Sequence, residues 1–253
     1  MVKNFSSDQS IELHVICDFI ARNIERDLHD KILARIPSIT LDGLLRRENP
    51  YLIKVGGSVT AGKFIEATLD EVLGLHEEVV LANFLAKIAI FVCKLTHAGR
   101  KSKITGIDLE FKRGAQYYII AFGNAPIIDN NQQHKIRSNF TKAIVALSKT
   151  KKLAKKNIVA IECTFYGNED APKKSGYQRL CGQHSWKLLS GRDELYRELI
   201  APLRNIKNVR SRNLTVQRAK KINSLTAEFL RRFSQQGVIE RDKLVGYCFG
   251  SIT

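Results

Sequence analysis

Residues 99–123 read GRKSKITGIDLEFKRGAQYYIIAFG. Within this stretch Asp108 and Glu110 stand two apart in the otherwise apolar run GIDLEF, residues 106–111. On a strand that spacing puts both side chains on one face. Two carboxylates sharing a face with Ile107, Leu109 and Phe111 nearby repel each other unless something positive lies between them. A divalent cation with hard oxygen ligands, Mg2+ above all, meets that need. Asp108 and Glu110 are therefore candidate metal ligands. Lys112-Arg113-Gly114-Ala115 reads as a turn joining a strand over 104–111 to a second strand over 116–122.

The rest of the composition supports a large polyanionic partner. The chain has 253 residues, a net charge of +16 and 44% hydrophobic residues. That hydrophobic content builds a core, so the chain is not a disordered one. The positive excess is larger than a small anionic metabolite requires and fits nucleic acid. Cys17, Cys93, Cys163, Cys181 and Cys248 are scattered with no CxxC pair. That pattern excludes a zinc ribbon or a thioredoxin motif and suits reduced thiols in the cytoplasm. Cys181 and His184 form a lone C-x-x-H, read as structural because no second half-site accompanies it. The opening MVKNFSSDQS shows no basic segment leading into an apolar one, so no signal peptide is expected. The apolar stretch from Val79 to Leu95 is interrupted by Asn83 and Lys87 and reads as too short to cross a bilayer.

Working outward, Ser6, Ser7 or Asp8 would cap a first helix reaching about Leu33, with Ile16, Ile20, Ile24 and Leu28 on one face. Thr60 would cap a second helix carrying Phe64, Ile65, Leu69 and Val72, interrupted at Gly74. His76 to Thr96 reads as a third helix, apolar nearly all round and hence buried. After the two strands, 132–149 reads as a helix with Ile136, Phe140, Ile144 and Leu147 aligned, and 157–167 as a third strand. Residues 177–249 read as helical. Gly57 to Lys63, GSVTAGK, matches the GxxxxGK of a P-loop, with YLIKV as its possible strand. Phe64, however, stands where Ser or Thr should hold Mg2+, and no Walker B partner follows. A capped helix start is the simpler reading.

The order helix, strand with an acid, turn, strand, helix, strand resembles the core of the PD-(D/E)XK nucleases. Several segments extend the resemblance: NPYLIK (49–54), EEVVLANFLAKIAIFVC (77–93), AGRKSKITGIDLEF (98–111), NFTKA (139–143), Tyr166-Gly167, RLCGQHSWKLLSG (179–191) and LIAPL (199–203). Together they are similar to type II restriction endonucleases of the PmeII-like group, over most of the chain from Leu44 onward. The resemblance implies an α/β fold: a PD-(D/E)XK nuclease-like core, with a mixed central sheet flanked by helices and helical N- and C-terminal additions. The expected parts are an N-terminal helical segment (1–48), the core (49–170) and a helical C-terminal part (171–253) in one unit. It also implies site-specific, Mg2+-dependent hydrolysis of double-stranded DNA, a homodimer, and a possible companion DNA methyltransferase.

Position by position, Asp108 matches the metal-binding acid of the first motif. Glu78, or Glu77, would be a further carboxylate from the long helix; as helix-start acids, both would equally serve the helix dipole. Glu110 would supply the second carboxylate, and Glu162 is another candidate. The second strand of such enzymes ends in an acid-x-lysine or serine-x-lysine pair, whose lysine orients the attacking water. Those two positions fall on Ala121 and Gly123. Three readings compete. A lysine (Lys101, Lys103, Lys112 or Lys135) has moved in; the protein binds DNA without cutting it; or Asp108 is a structural acid paired to Arg100 or Lys112. Arg100, Lys101, Lys103, Lys135, Arg137, Lys152 and Lys155 are the expected phosphate contacts.

Overall fold

A computed structural model describes residues 12–55, 60–123, 130–150, 153–168, 170, 176–204 and 207–250; the side chains of 54, 55 and 207–212 lie outside that description. Ser6, Ser7, Asp8, Lys152 and the first three residues of GSVTAGK fall outside it too. In chain order the helices and strands begin with α1 (Leu13–Ile24), α2 (Asp30–Ser38), α3 (Leu41–Leu45), α4 (Pro50–Val55), α5 (Ala61–His97), β1 (Arg100–Lys101), β2 (Leu109–Arg113) and β3 (Gln116–Gly123). They continue with α6 (Asn130–Thr150), β4 (Ile158–Thr164), β5 (Gln178–Cys181), α7 (Gly182–Ser190), α8 (Leu195–Glu198), α9 (Ile200–Arg204), α10 (Lys207–Phe233), β6 (Ser234–Gln235), β7 (Val238–Ile239) and α11 (Arg241–Cys248).

The chain divides into two compact units, each built from two stretches of sequence. One comprises residues 1–24 and 82–206, the other 25–81 and 207–253. The first holds the five-stranded sheet, in the order β1-β2-β3-β4-β5. β2 runs antiparallel to both of its neighbours, β1 and β3, while β4 is parallel to β3 and β5 parallel to β4. The sheet is thus mixed, as expected. Gly114 makes the β2–β3 hairpin possible. It takes φ +57 in a two-residue turn closed by the Arg113–Gln116 pair, a backbone angle that side chains with a Cβ resist. The reverse link, β3 to β4, is parallel and needs the crossover that α6 supplies.

Helix α6 packs one sheet face through Phe140, Ala143 and Leu147 against Ile107, Ile119, Ala121, Ile158, Ala160 and Tyr177. The other face meets α5 and α7. His97 stacks on Phe111, Trp186 lies against Phe165, and Thr96 Oγ1 donates to the Leu189 carbonyl at 2.8 Å. Cys93 and Cys163 are fully buried on that side, and burial pushes both thiols up to about 12, so neither is a thiolate at neutral pH.

The second unit is helical apart from the small β6–β7 hairpin. Its core joins Leu41, Leu44 and Leu45 to Ile65, Leu69, Phe229 and Leu244. Asp42 ties three of its elements together, accepting from Arg232 at 2.7 Å and from the Tyr247 hydroxyl at 2.6 Å.

Several expectations are corrected. Gly74 does not end a helix: α5 runs unbroken for 37 residues. At that length it is apolar enough to cross a membrane by composition alone, so the expected shortness fails. Nor is it buried all round: Phe84, Ile88, Ala89, Val92 and Cys93 are fully enclosed, while Leu75 and Val79 are more than half-exposed or near it, at 50% and 53%. YLIKV lies in helix α4, which removes the strand a P-loop requires. Thr60 Oγ1 instead accepts from the Lys63 amide at 3.4 Å as a helix cap. The first helix passes Leu33 and reaches Ser38 through a π-helical turn at Glu25–His29. That wider turn shifts the face by a residue, so Asp27 is buried where the four-residue repeat would place Leu28. Residues 102–107 form a loop before β2, which shortens the strand expected over 104–111. The region from 177 opens with a strand, β5, before its helices.

Candidate active site on the sheet

Asp108 stands immediately before β2 rather than mid-strand. It is half-buried. Its amide donates to the Ile120 carbonyl at 2.8 Å, so it already follows the β2–β3 ladder. Its Oδ2 accepts from the Phe122 amide at 2.7 Å, and Oδ1 accepts no hydrogen bond among the described residues. Burial raises the carboxyl above its ordinary range. The Phe122 amide and the Lys101 charge pull it partly back. Of the lysines considered as a displaced catalytic cation, Lys101 is thus one whose charge acts on Asp108.

The register extends this position across the sheet. Leu109 pairs with Ile120, so Asp108 comes level with Ala121; Ala121 pairs with Glu162, and Glu162 with Arg179. Residues opposite each other in a ladder share a face. Asp108, Ala121, Glu162 and Arg179 therefore form one row, on the face that α6 covers. Glu162 is 0% exposed, and among the described residues neither of its carboxylate oxygens has a hydrogen-bond partner. Arg179 Nε approaches Oε2 at 3.6 Å, too far for a hydrogen bond but close enough for an ion pair. Burial raises the Glu162 carboxyl, and Arg179 offsets part of that rise. Tyr177 stands in the same field: burial and the Glu162 charge raise its phenol, while Arg179 and Arg137 lower it.

Glu110 has a different fate. It is 4% exposed and sits two pairs further along, opposite Ile119. Ser102 Oγ donates to its Oε1 at 2.6 Å, the Tyr117 hydroxyl donates to Oε2, and Arg100 reaches Oε2 at 3.4 Å. Its oxygens are already occupied by three donors that tie β1 and β3 to β2. Arg100 is the partner of Glu110, and the pairing with Asp108 is not seen. Glu77 and Glu78 are exposed on the middle of α5, not at a helix start, and belong to the other compact unit.

Lys101, Lys103, Lys135, Arg137 and Lys155 are all exposed. Lys135 and Arg137 ride on α6, and Lys155 opens a single 3-10 turn before β4. Cys181 and His184 meet at Asp170: its Oδ1 accepts from the Cys181 amide at 2.8 Å and its Oδ2 pairs with His184 Nδ1 at 2.5 Å. Asp170 thus anchors the start of α7.

The family described as type II restriction endonuclease EcoO109I matches residues 14–211. The chain belongs to that family. The match begins ahead of Leu44 and leaves 212–253 outside, and it names the EcoO109I family rather than the PmeII-like group expected from the segments. No curated protein matches the chain. Membership makes this a restriction-endonuclease fold, a hydrolytic nuclease family whose business is DNA.

Restriction endonucleases of this family generally work with Mg2+, and two observations bear on whether these residues fit it. Among the described residues no group of three or more His, Cys, Asp or Glu side chains converges. Mg2+ keeps several waters and needs only one or two protein carboxylates beside the substrate phosphate. Glu162 offers a buried carboxylate with unengaged oxygens. A Cβ built on Gly123 would lie 2.8 Å from Glu162 Oε1 and 2.9 Å from Thr164 Cγ2, so the space beside Glu162 exists only because residue 123 has no side chain. An orphaned carboxylate beside a cradle that a side chain would fill suits a hard cation.

Proposed function

We propose that the protein is a Mg2+-dependent endonuclease that cuts double-stranded DNA at specific sites, as type II restriction does. The observation that carries this reading is Asp108, held by the Phe122 amide at the start of β2 with its second oxygen uncommitted. When bound, Mg2+ would polarise a phosphodiester and lower the pKa of a water that attacks in line. Asp108 would hold the ion. The Phe122 amide fixes the carboxylate's direction, and Lys101 supplies positive charge beside it. Glu110 would serve as the staple of β1, β2 and β3 rather than as a ligand. Glu78 is exposed on α5 and belongs to the other compact unit.

Lys101, Lys103, Lys135, Arg137 and Lys155 would meet phosphates, and Lys152 extends that basic set in sequence. Cutting both strands of a twofold-symmetric site argues for a homodimer. A companion methyltransferase and a cytoplasmic location follow from the same role. The decisive experiment incubates the full chain with long unmethylated DNA in Mg2+ and in EDTA. Discrete fragments with Mg2+ alone are expected; no cleavage under either condition would sink the reading.

A second reading is favoured by one observation: Ala121 and Gly123 occupy the acid and lysine positions. On it the protein binds DNA and does not cut. Both readings share a salt prediction. If six phosphates are neutralised, affinity falls by about a thousandfold between 50 and 200 mM salt. Replacing Lys101 and Lys103 together by alanine should lower the slope of log affinity against log salt by about 2, read by fluorescence anisotropy.

A further inference from the structure

Burying an ionisable carboxylate without hydrogen bonds is costly, and proteins keep such groups where something else recompenses them. Glu162 is such a group: fully enclosed on β4, with both oxygens lacking hydrogen bonds among the described residues and Arg179 3.6 Å away. Glu110, by contrast, is saturated by Ser102, Tyr117 and Arg100. The position that lacks an acid, Ala121, lies between Asp108 and Glu162 in the row. Neighbouring strands stand about 4.8 Å apart, so the backbones at Asp108 and Glu162 are separated by about 10 Å. An Asp and a Glu side chain reaching over an alanine can close most of that span. Gly123 is the small residue that makes way for the Glu162 carboxylate: a Cβ there would lie 2.8 Å from Oε1.

We propose that Glu162 is the second metal-binding carboxylate of this protein, bracketing with Asp108 a divalent cation above Ala121, and that Arg179 positions it. The acid absent from β3 is thus supplied one strand further on, from β4, and a cation stands beside it on β5. Arg179 is a positioning residue: its guanidinium, 3.6 Å from Oε2, holds the Glu162 carboxylate in place from the neighbouring strand. This assignment rests on the endonuclease reading above and deepens it. A purely structural Glu162–Arg179 pair is the alternative, and it predicts no role for Glu162 in metal binding.

The test uses the full-length protein without DNA, titrated with Mn2+ and with Ca2+ and followed by calorimetry and by melting temperature. The wild type, Asp108→Asn, Glu162→Gln and the double variant Glu162→Gln/Arg179→Gln are compared, each checked for fold by circular dichroism. The double variant removes both buried charges and guards against a Glu162→Gln protein that fails to fold once the Glu162–Arg179 ion pair is broken. The expected result is metal binding by the wild type, weakened tenfold or more in Asp108→Asn and equally in whichever Glu162 variant is folded. Arg179→Gln alone should weaken the metal less than Glu162→Gln does, and Arg179→Lys should restore part of the loss, a rescue a merely structural role would not show in metal affinity. A Glu162 variant that binds metal as tightly as the wild type, while Asp108→Asn does not, overturns the inference and leaves the endonuclease reading standing. No metal binding by the wild type, together with no cleavage of DNA in Mg2+, overturns both.

Discussion

Asp108→Asn is expected to abolish Mg2+-dependent DNA cleavage, lowering the rate by about a thousandfold or more. Holding the ion that polarises the phosphate is a matter of several kcal/mol of transition-state stabilisation, and about 4 kcal/mol is a thousandfold. The asparagine keeps an oxygen that accepts the Phe122 amide, so the hairpin geometry survives. Stability should move the other way. Burial raises the folded-state pKa of Asp108, so the folded chain holds that proton more tightly than the unfolded one does. The associated stability is fully present below the ordinary carboxylate pKa and is lost as pH rises through the raised value. In EDTA, Asp108→Asn should therefore melt higher than the wild type at pH 7, and the difference should shrink as the pH falls below about 4, where both carry a neutral group. Melting curves at the two pH values, beside single-turnover cleavage assays, test both halves. A variant that melts lower at pH 7 would mean that the negative charge is held by more than the Phe122 amide and Lys101.

Phe140→Ala should be the most damaging substitution of the helix that covers this face. Phe140 is 2% exposed, packs α6 on Ile119, Ala121 and Ala160, and lies 5.3 Å from the Tyr177 ring. Truncating a buried phenylalanine costs about 3–5 kcal/mol, part lost burial and part cavity. Urea denaturation should show a lower midpoint. Because α6 also carries Lys135 and Arg137 and roofs the row from Asp108 to Arg179, DNA affinity and metal binding should fall with it at temperatures where the protein remains folded. A loss of stability without any loss of binding would separate the roof from the row.

Much of this was legible in the amino-acid order, for identifiable reasons. The hairpin announces itself through Gly114 between two apolar runs, and α6 through Ile136, Phe140, Ile144 and Leu147 in helical step. Strand β5 was not legible: QRLC is four residues long, without alternation, and runs straight into α7. The length of α5 was misread because glycine costs a helix only about 1 kcal/mol, which packing on both sides of Gly74 outweighs. The candidate site was half-visible. Asp108 and Glu162 give the same signal, an acid in an apolar strand run. Only the register shows that they share a row. Nothing near Glu110 in sequence reveals that Ser102, eight residues earlier, and Tyr117, seven later, close around it.

The narrow gap at Gly123 constrains the paths by which this sequence can change. Installing a lysine there thrusts a side chain against Glu162 Oε1 and Thr164. Installing an acid at Ala121 alone puts three carboxylates in one row. Each step towards the usual pair of residues on β3 is unfavourable while Glu162 remains. Removing Glu162 first breaks its buried ion pair with Arg179. Reaching the usual arrangement from this sequence therefore demands concerted replacement at 121, 123, 162 and 179.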